Sequence, residues 1–495
     1  NRSKSPAESF YLRRIYGKIL WLFFRKLVTC LAVSAEALNR QFEYMTEVKR
    51  LLQDRFGDEP PKAFTHTYGC QGNVADGERI DGLLEQMGYE FTNDPSEADF
   101  ILFNTCAVRE HAEERVYGNV GRLKKFKETN PNLVIALCGC MVQQEHVAKR
   151  LKSHFPYVDL VFGTHVQYRV PELLWNVLST GERVFDITED DNDIAEGLAP
   201  RRNHPFKAFL PISYGCNNFC TFCVVPHVRG RERSRKYQDI MHDARQLVAD
   251  GYKEIMLLGQ NVNSYGNDFG EKELFPKLLR DINDIPGDFL IRFMTSHPKD
   301  CSHALLDAMA ECEKVENHLH LPVQSGNSEV LHRMNRHYDR EKYLETVAYA
   351  REKMPDLSIT SDIIVGFPGE THEQFLDTIS LIREVGYSAL YTFIYSPRVG
   401  TPGASMPDPV SATEKQQWFE ELQFAQEQVA SKQSATTKGK TFRVLVESRN
   451  KAGRLCGRNS GNTMIEFDGP DELIGTYQDV LVTEPLTWIL KGELA

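Results

Sequence analysis

The sequence predicts an α/β protein in three parts: an N-terminal open parallel sheet, a central six-unit partial β/α barrel and a small C-terminal all-β barrel. Three observations support this fold class. Apolar runs alternate with helical stretches in two successive series, an acidic segment separates the series, and the chain ends in short strands between Gly and Asn turns. Strand–helix alternation is typical of parallel sheets covered by helices, and short strands with turn residues between them are typical of small barrels.

Cysteine placement says more about the class of protein than composition does. The 495 residues carry a formal net charge of -11, which does not favour nucleic-acid binding but leaves room for a local basic patch. Eleven cysteines are too few for a disulfide scaffold. Most stand in short motifs after apolar runs, which indicates metal ligation in a reducing compartment and predicts a cytoplasmic protein. Four lie outside such motifs and are expected to be small buried residues: Cys30, Cys301, Cys312 and Cys456.

Residues 1–61 are expected to be an N-terminal extension. Its apolar stretch, residues 19–35, is interrupted by Arg25 and Lys26, so each half is too short to span a bilayer. The stretch resembles a signal or transit peptide but lacks a small-residue cleavage site. We therefore expect no membrane partner and a functional part that begins at residue 62.

Residues 62–180 are predicted to form the N-terminal sheet domain. The predicted strands are residues 63–68, 100–104, 133–137 and 158–163, and the predicted helices are residues 75–87, 110–127 and 142–151. Residues 181–203, which contain the acidic run 189–193, are predicted to be a linker.

A second alternating series predicts a central domain over residues 204–432. Its six strands are expected at residues 208–213, 254–258, 289–294, 318–323, 358–365 and 389–395, and a helix is expected at residues 413–431. A closed β/α barrel needs eight units, so six units predict an open, curved barrel. Residues 433–495 are then predicted to form a small barrel of a kind used for RNA binding, with strands at residues 442–447, 463–467, 477–482 and 487–491.

The strongest chemical signal is the segment that contains Cys216, Cys220 and Cys223, directly after the first strand of the central series. A [4Fe–4S] cluster usually takes four thiolates, so three leave one iron open for a small molecule. The alternative is a zinc site with His227 as the fourth ligand. The spacing, the aromatic Phe222 and the six-unit barrel resemble the radical S-adenosylmethionine (SAM) superfamily, which implies a [4Fe–4S] cluster with SAM bound to its open iron.

Three more cysteines follow predicted strands of the N-terminal sheet: Cys70, Cys106 and Cys140. The carboxyl ends of parallel strands share one crevice, so these thiols are expected to converge on a second three-cysteine cluster. Cys138 competes for the third position, but it falls inside the apolar run and is expected to face the core. The alternative for the trio is a set of buried thiols at strand ends.

Two strand–turn segments of the central barrel are expected to contact SAM. One ends a strand with Asp362, Gly366 and Glu370, and its glycines allow close approach of a backbone to a ligand. The other contains Gln324, Ser325 and Gly326 before a predicted helix. Taken alone, either segment is also compatible with an ordinary strand–turn–helix corner.

Together these motifs resemble the methylthiotransferase family over residues 62–495. The family is expected to carry an N-terminal three-cysteine domain, a radical SAM barrel and a C-terminal TRAM-type barrel. The closest match is to the branch that modifies N6-isopentenyladenosine in bacterial tRNA, and the segments that carry it are residues 67–71, 223–235, 320–326 and 395–402. The chain departs from the family's usual Met and Ser at Gly72 and Gly77, which puts the packing beside Cys70 in doubt.

The resemblance implies a two-stage reaction at two [4Fe–4S] clusters. One SAM would methylate a sulfur held at the N-terminal cluster, and a second SAM would supply the radical that activates carbon 2 of the adenosine at tRNA position 37. The implied partners are the tRNA anticodon stem-loop, a one-electron donor of flavodoxin or ferredoxin type and a sulfur donor. No acid or base residue is assigned.

Two basic groups are candidate RNA contacts. Arg229, Arg231, Arg233 and Arg235 follow the segment with Cys216, Cys220 and Cys223, where they are expected to hold phosphates. A second group decorates the C-terminal barrel: Lys438, Lys440, Arg443, Arg449 and Arg454. Either group is also compatible with a solvated charged face.

Three alternative functions remain open from the sequence. Two share the chemistry: methylthiolation of a ribosomal-protein aspartate, or of threonylcarbamoyladenosine in other tRNAs. Gln71 and Asn73 favour the isopentenyladenosine branch. The third is an RNA-binding iron–sulfur redox sensor, which would not need a SAM-binding barrel.

Overall fold

Strands and helices fall close to their predicted places in the computed structural model, which describes residues 33–107, 110–188 and 194–495. Two features discussed above therefore lie outside the described residues: positions 1–32 of the extension with Cys30, and the acidic run 189–193. Within the described ranges, no helix is long and apolar enough to cross a membrane.

The N-terminal domain is a six-stranded parallel sheet of order β2-β1-β3-β4-β5-β6. Its strands are β1 (Lys62–Thr67), β2 (Glu90–Phe91), β3 (Phe100–Thr105), β4 (Val134–Gly139), β5 (Leu160–Phe162) and β6 (Val184–Asp186). Its helices are α1 (Ala35–Phe56), α2 (Gln71–Gln86), α3 (Glu110–Thr129), α4 (Glu145–His154) and α5 (Val170–Thr180). The central strands β3 and β4 are buried along their whole length, as expected for a sheet covered on both faces.

Two segments near the predicted boundaries belong to this domain. Strand β6 lies inside the predicted linker, residues 181–203, and pairs with β5. Helix α1 lies inside the predicted extension and buries Met45, Val48 and Leu52 against the sheet's core. Those residues recur at helical spacing, so they form one apolar stripe that needs a partner.

The central domain is an open barrel of six main parallel strands in two halves, β11-β10-β7 and β12-β13-β14. Its strands are β7 (Lys207–Pro211), β10 (Glu254–Leu258), β11 (Leu290–Phe293), β12 (His318–His320), β13 (Ser358–Val365) and β14 (Ala389–Ile394). A two-stranded ribbon, β8 (Ser213–Tyr214) and β9 (Arg233–Ser234), follows β7. A parallel bridge between Ile291 and Val315 joins the two halves.

Helices cover the outside of this barrel, apart from the single turn of helix that follows the central cysteines. They are α6 (Val225–Val228), α7 (Tyr237–Ala249), α8 (Leu274–Asn283), α9 (His303–Glu311), α10 (Ser328–Arg333), α11 (Arg340–Lys353), α12 (His372–Val385) and α13 (Ala412–Ala435). Alternate strand residues such as Leu319, Ile359 and Ile363 pack against them in the main core. The other face of each strand therefore lines the barrel lumen.

The C-terminal domain is a closed five-stranded barrel. Its strands are β15 (Thr441–Arg449), β16 (Leu455–Asn459), β17 (Met464–Phe467), β18 (Tyr477–Pro485) and β19 (Leu490–Leu494). Strand β16 was not predicted, because polar and Gly residues interrupt its apolar pattern. Val444, Leu455 and Phe467 are among the side chains that fill its interior.

The C-terminal barrel docks on the central barrel at the end where the parallel strands begin. Lys207 pairs with Glu447 at 2.6 Å, and the Tyr477 hydroxyl donates to the carbonyl of Lys253 at 2.6 Å. The buried Arg292 donates to the carbonyl of Asn459 at 2.8 Å. The cysteine segment of the central domain follows β8, at the opposite end of the same barrel.

A chain of polar side chains runs through the lumen between these two ends. Thr360 Oγ1 lies 2.8 Å from His318 Nε2 and 3.0 Å from His320 Nδ1. His318 continues to Glu316 at 3.4 Å, and Glu316 accepts from Arg292 at 2.7 Å. Buried polar groups need such partners, so the lumen is a polar interior rather than a second apolar core.

Candidate active site: two cysteine sets at one end of the barrel

The central cysteine loop is closed at its base by the β8–β9 ribbon. Tyr214 lies before the three cysteines and Arg233 lies after them, and the two residues pair in the ribbon. The segment that carries the cysteines therefore begins and ends at the same place. Gly215 begins the loop at φ 76°, and a Cβ there would lie 2.0 Å from the carbonyl oxygen of Arg231. Only glycine fits this position. The backbone therefore holds Cys216, Cys220 and Cys223 in one compact turn.

A buried arginine donates to this cysteine set. Arg336 Nη1 lies 3.2 Å from Cys220 Sγ, and its other nitrogens donate to the Tyr338 hydroxyl and the Pro322 carbonyl. Burial raises the pKa of Cys223 to about 12, and the Arg336 charge opposes that rise. The neighbouring cysteines act on each other electrostatically. Three thiols that face one another beside a buried cation are a suitable donor set for an iron–sulfur cluster.

The N-terminal cysteines converge as the strand order predicts. Cys106 and Cys140 follow β3 and β4, and Cys70 precedes α2 directly after β1. Cys106 and Cys140 are buried, whereas Cys70 is exposed. Burial raises the pKa of Cys140 to about 11, and Cys106 and Cys70 lie close enough to add to the rise. The sheet therefore gathers three thiols from separate strand ends, with one of them open to solvent.

A pair of buried asparagines fixes the loops that carry these cysteines. Asn73 Nδ2 donates to Asn104 Oδ1 at 3.1 Å and to the Thr105 carbonyl at 3.0 Å. Asn104 Nδ2 donates in return to the Asn73 carbonyl at 2.7 Å. Gly139 has φ 95°, and a Cβ there would lie 2.4 Å from Asn104 Oδ1. The side chain of Asn73, which favoured one branch of the family in the sequence, thus has a structural role beside Cys70.

Arg229 connects the two cysteine sets. It belongs to the central domain, yet its Nε lies 3.1 Å from Cys140 Sγ and its Nη2 lies 2.7 Å from Asp76 Oδ2, both in the N-terminal domain. Val224 and Val228 from the central cysteine segment pack with Ala107 and Cys140 in one buried apolar cluster. The two three-cysteine sets therefore face each other across the domain contact.

The competing ligand assignments can be compared with this geometry. Cys138 is fully buried among Phe100, Ala136 and other core residues of the sheet, as expected, whereas Cys140 lies in the cluster next to the central loop. In residues 33–107, 110–188 and 194–495, no group of three His, Cys, Asp or Glu side chains is arranged to hold a single metal ion, and this applies to the cysteine sets as well as to the zinc alternative with His227.

The six predicted SAM contacts divide into two groups: Asp362 and the neighbouring Gln324 lie beside the lumen, and the other four residues contact other parts of the protein. Asp362 lies on the lumen face with its side chain 29% exposed, 3.5 Å from His320 Nε2. The backbone of Gln324 pairs with that of β13, where it bonds to Asp362 and Ile364. Ser325 and Gly326 pack against Thr378 of α12, and Glu370 accepts from the backbone amides of Gly366 and Phe367. A Cβ at Gly366 would lie 2.6 Å from the side chain of Lys415 on α13, so close packing explains the glycine at this position.

Polar atoms without a partner mark the same end of the barrel. Within the described part of the chain, Ser296 Oγ and His297 Nε2 are buried and make no hydrogen bond. They follow β11, and burial together with the nearby Arg336 charge lowers the pKa of His297. Unpaired buried polar groups are costly, so these two atoms fit a site that receives a polar ligand such as SAM.

The predicted RNA contacts after the central cysteines are partly corrected. Arg229 and Arg235 are buried in ion pairs, the latter with Glu196 at 2.5 Å and Asp243 at 2.8 Å. Arg229 pairs across the contact between the domains, and Arg235 pairs with the linker and with α7, so carboxylates already occupy both guanidinium groups. Arg231 is exposed, with its guanidinium 4.2 Å from the ring centre of Phe219. Arg233 is half-buried and donates to the Arg229 carbonyl.

Most of the basic side chains predicted on the C-terminal barrel have acidic partners. Arg443 pairs with Asp288 at 2.7 Å, Arg449 with Asp471 at 2.5 Å, Lys440 with Asp356 at 3.7 Å and Arg454 with Asp468 at 3.9 Å. Arg443 and Lys440 reach across to the central domain, so they also help to dock the barrel. Lys438 is exposed at the start of the domain.

Sequence reasoning missed Arg336 and Gln260. Arg336 stands 116 residues after Cys220, outside any cysteine motif, so nothing local marks it. Gln260 follows β10, accepts from the Gly215 amide, and its Nε2 would lie 3.8 Å from a Cβ at Gly72. A polar residue directly after a barrel strand is the only local signal that could have identified it.

The fold and the cysteine loop define a radical SAM protein. Residues 210–382 match the Radical SAM superfamily, residues 62–163 match the family described as uncharacterized protein family UPF0004, and residues 435–495 match the TRAM domain. The radical SAM methyltransferase TsrM from Kitasatospora setae, solved with cobalamin and a [4Fe-4S] cluster, has a similar fold, with a TM-score of 0.50, 13% identity and coverage of 70% of this chain and 74% of that one.

Curated relatives narrow the class further. The tRNA-2-methylthio-N(6)-dimethylallyladenosine synthase of Thermoanaerobacter sp. (strain X514) is 47% identical over 94% of this chain and 98% of its own length. The enzyme of the same name from Clostridium botulinum (strain Alaska E43 / Type E3) is 47% identical over 90% and 99%. The chain therefore belongs to the radical SAM tRNA methylthiotransferase family, whose chemistry uses SAM and a [4Fe–4S] cluster.

Proposed function

We propose that this chain attaches a methylthio group to carbon 2 of N6-isopentenyladenosine at position 37 of tRNA. The observation that carries the proposal is the meeting of two three-cysteine sets at one end of the barrel, with Arg229 and Arg336 each donating to one set. The relatives named tRNA-2-methylthio-N(6)-dimethylallyladenosine synthase support the substrate.

Cys216, Cys220 and Cys223 would hold the cluster of the radical reaction, and Cys70, Cys106 and Cys140 would hold a second [4Fe–4S] cluster. When bound, the first cluster would supply an electron to SAM, and the second would supply the sulfur that is transferred. Arg336 and Arg229 keep a positive charge next to each thiolate set, which favours the ionised cysteines that iron requires. Ala107, Cys140, Val224 and Val228 form a buried apolar cluster that excludes water from the space between the two cysteine sets.

The RNA would contact the protein at two places. Arg231 and Phe219 are exposed at the end of the barrel that carries the cysteines, where a cation and an aromatic ring suit a phosphate and a splayed base. The TRAM-type barrel docks at the opposite end, and strands of five residues span about 17 Å between the ends. An anticodon stem-loop bound by both would therefore lie along the side of the barrel.

The remaining partners follow from the chemistry proposed. A one-electron donor of flavodoxin or ferredoxin type would reduce the first cluster, and a sulfur donor would restore the sulfur that each turnover removes. The exposed Cys70 is the most accessible part of the second set, so the donor would approach from that side. We propose that the reaction takes place in the cytoplasm, where tRNA is modified.

Anaerobic reconstitution tests this function directly. The chain is loaded with iron and sulfide, then incubated with SAM, a reductant and an isopentenylated anticodon stem-loop, and nucleosides are identified by mass spectrometry. The expected result is one methylthio group on the adenosine and none on a matched stem-loop with unmodified adenosine. Release of 5′-deoxyadenosine without RNA modification would contradict the substrate.

Parallel incubations separate the alternatives. A stem-loop with threonylcarbamoyladenosine and a peptide containing the aspartate target replace the first RNA, one at a time. Methylthiolation of either, with none on isopentenyladenosine, would move the chain to another branch of the family. An absence of 5′-deoxyadenosine in every incubation would favour the redox-sensor alternative.

A further inference from the structure

Strand β14 presents two aromatic side chains to the barrel lumen. Asp362 pairs with Tyr391 and Ile364 pairs with Phe393 in the parallel register of β13 and β14. Paired residues of neighbouring strands lie on the same face of a sheet, and Asp362 faces the lumen beside His320. Tyr391 and Phe393 therefore lie on the lumen face, two residues apart on the edge strand of the open barrel.

Both rings are open to solvent, unlike the neighbouring Leu390. Tyr391 is 46% exposed and Phe393 is 45% exposed, whereas Leu390 of the same strand packs against the main core. Large aromatic side chains placed in an interior usually bury most of their surface. Their exposure leaves a flat apolar surface in the lumen, which we call the aromatic shelf.

The shelf is held in position from one side. The ring of His320 meets the ring of Tyr391 edge-on, with 5.5 Å between centres and an interplanar angle of 81°. His320 is itself hydrogen-bonded to Thr360 at 3.0 Å. The edge contact leaves ring surface of Tyr391 free, so a planar group can still stack on it.

The shelf lies near the cysteine loop of the central domain. Ile364, the strand partner of Phe393, packs on the buried cluster of Phe367 and Tyr395. Phe222, which precedes Cys223, packs on the same cluster. A group resting on the shelf would therefore lie beside the loop that holds the radical cluster.

We propose that Tyr391 and Phe393 form the platform that holds the target adenine together with its apolar N6 substituent. The inference rests on the proposed function and specifies how its substrate is selected. A purine extruded from an RNA loop needs an aromatic surface to replace lost base stacking. A branched five-carbon substituent needs apolar surface, which the second ring supplies. The shelf thus distinguishes the modified base from plain adenosine.

Substitution of each ring tests this assignment in the full-length reconstituted chain. Tyr391→Ala and Phe393→Ala are expected to raise the KM for the isopentenylated stem-loop about tenfold each, the size of one lost base–aromatic stack. The preference for isopentenylated over unmodified stem-loop, measured by fluorescence anisotropy, should fall with Phe393→Ala. Tyr391→Phe keeps the ring and should restore the KM. Phe424→Ala, an exposed aromatic on α13, is the matched surface control.

Three outcomes decide between the interpretations. An unchanged KM and unchanged preference in both alanine variants would overturn the shelf. Loss of SAM binding by the alanine variants in the absence of RNA, measured by equilibrium dialysis, would show that the rings bind the cofactor. That result would also overturn the shelf as the platform for the target adenine. If the parent chain fails to modify the isopentenylated stem-loop, the proposed function itself fails; if the parent succeeds and the variants match it, only the shelf fails.

Discussion

The two cysteine sites reach the same arrangement by different routes. In the central site, three thiols come from one loop of eight residues, and Arg336 approaches from the same domain. In the N-terminal site, three thiols come from three strand ends, and Arg229 approaches from the other domain with Asp76 as its counter-ion. The central site is therefore complete within its own domain, whereas the N-terminal site is completed only when the two domains dock.

Removal of one cysteine from each site should have the largest effects. Cys220→Ala should lower bound iron by about four atoms per chain and abolish both 5′-deoxyadenosine and the methylthio product. Cys106→Ala should lower iron equally and abolish the methylthio product, while 5′-deoxyadenosine is still released. Iron assay and mass spectrometry provide both readings. Cys138→Ala is the control and should keep the full iron content; a loss of iron there would contradict the assignment of Cys140.

The two arginines should differ in their effect on stability. Arg229→Met leaves the buried Asp76 carboxylate unpaired and should lower the free energy of unfolding by about 3–5 kcal/mol. Arg336→Met removes hydrogen bonds to neutral groups and to a thiol, and should cost about 1–3 kcal/mol. Denaturant unfolding of the iron-free chain measures both. The double variant Arg229→Met, Asp76→Leu should recover most of the loss, and failure to recover would show that Asp76 is not the reason for it.

Substitution of an exposed arginine and of a buried arginine after the central cysteines should separate effects on RNA binding from effects on stability. Arg231→Ala is expected to weaken binding of the stem-loop and to lower the slope of log affinity against log salt by about 1. Arg235→Ala breaks pairs with Glu196 and Asp243 and should lower the melting temperature instead. Fluorescence anisotropy across salt concentrations, together with thermal unfolding, tests the pair. A reduced salt slope in a stably folded Arg235→Ala would contradict its structural role.

A pH-dependent effect is expected in the N-terminal domain alone. Burial raises the pKa of Asp81 from 3.8 to about 7, so the folded chain holds this proton more tightly than the unfolded chain does. Stability from this group is complete below pH 3.8 and is lost as the pH rises towards 7. Asp81→Asn should therefore raise the melting temperature at pH 8 more than at pH 4. Asp54→Asn, an exposed carboxylate on α1, should show no such difference.

The sequence predicted the architecture and the grouping of the cysteines because both leave local or periodic signals. Apolar alternation marked most strands, and the spacing of Cys216, Cys220 and Cys223 marked the loop. Convergence of Cys70, Cys106 and Cys140 followed from a general property of parallel sheets. Strand β6 was missed because three half-buried residues after a turn carry little periodicity.

The roles of the charged residues could not be read from the sequence. Four arginines in one basic run look equivalent as letters, yet Arg229 and Arg235 are buried in ion pairs while Arg231 is exposed. Glu196 and Asp76, which decide this difference, stand 39 and 153 residues away along the chain. Pairing at such separations depends on how the domains dock.

The sequence by itself determined the order of the domains, the two sets of cysteines and the family, because each depends on local spacing or on strand order. Only the tertiary structure decided which arginine serves which cysteine set, which end of the barrel receives the C-terminal domain, and which aromatic rings stay open in the lumen. Those features depend on side chains brought together from distant segments, and burial and electrostatic pairing act on distance in space rather than on distance along the chain.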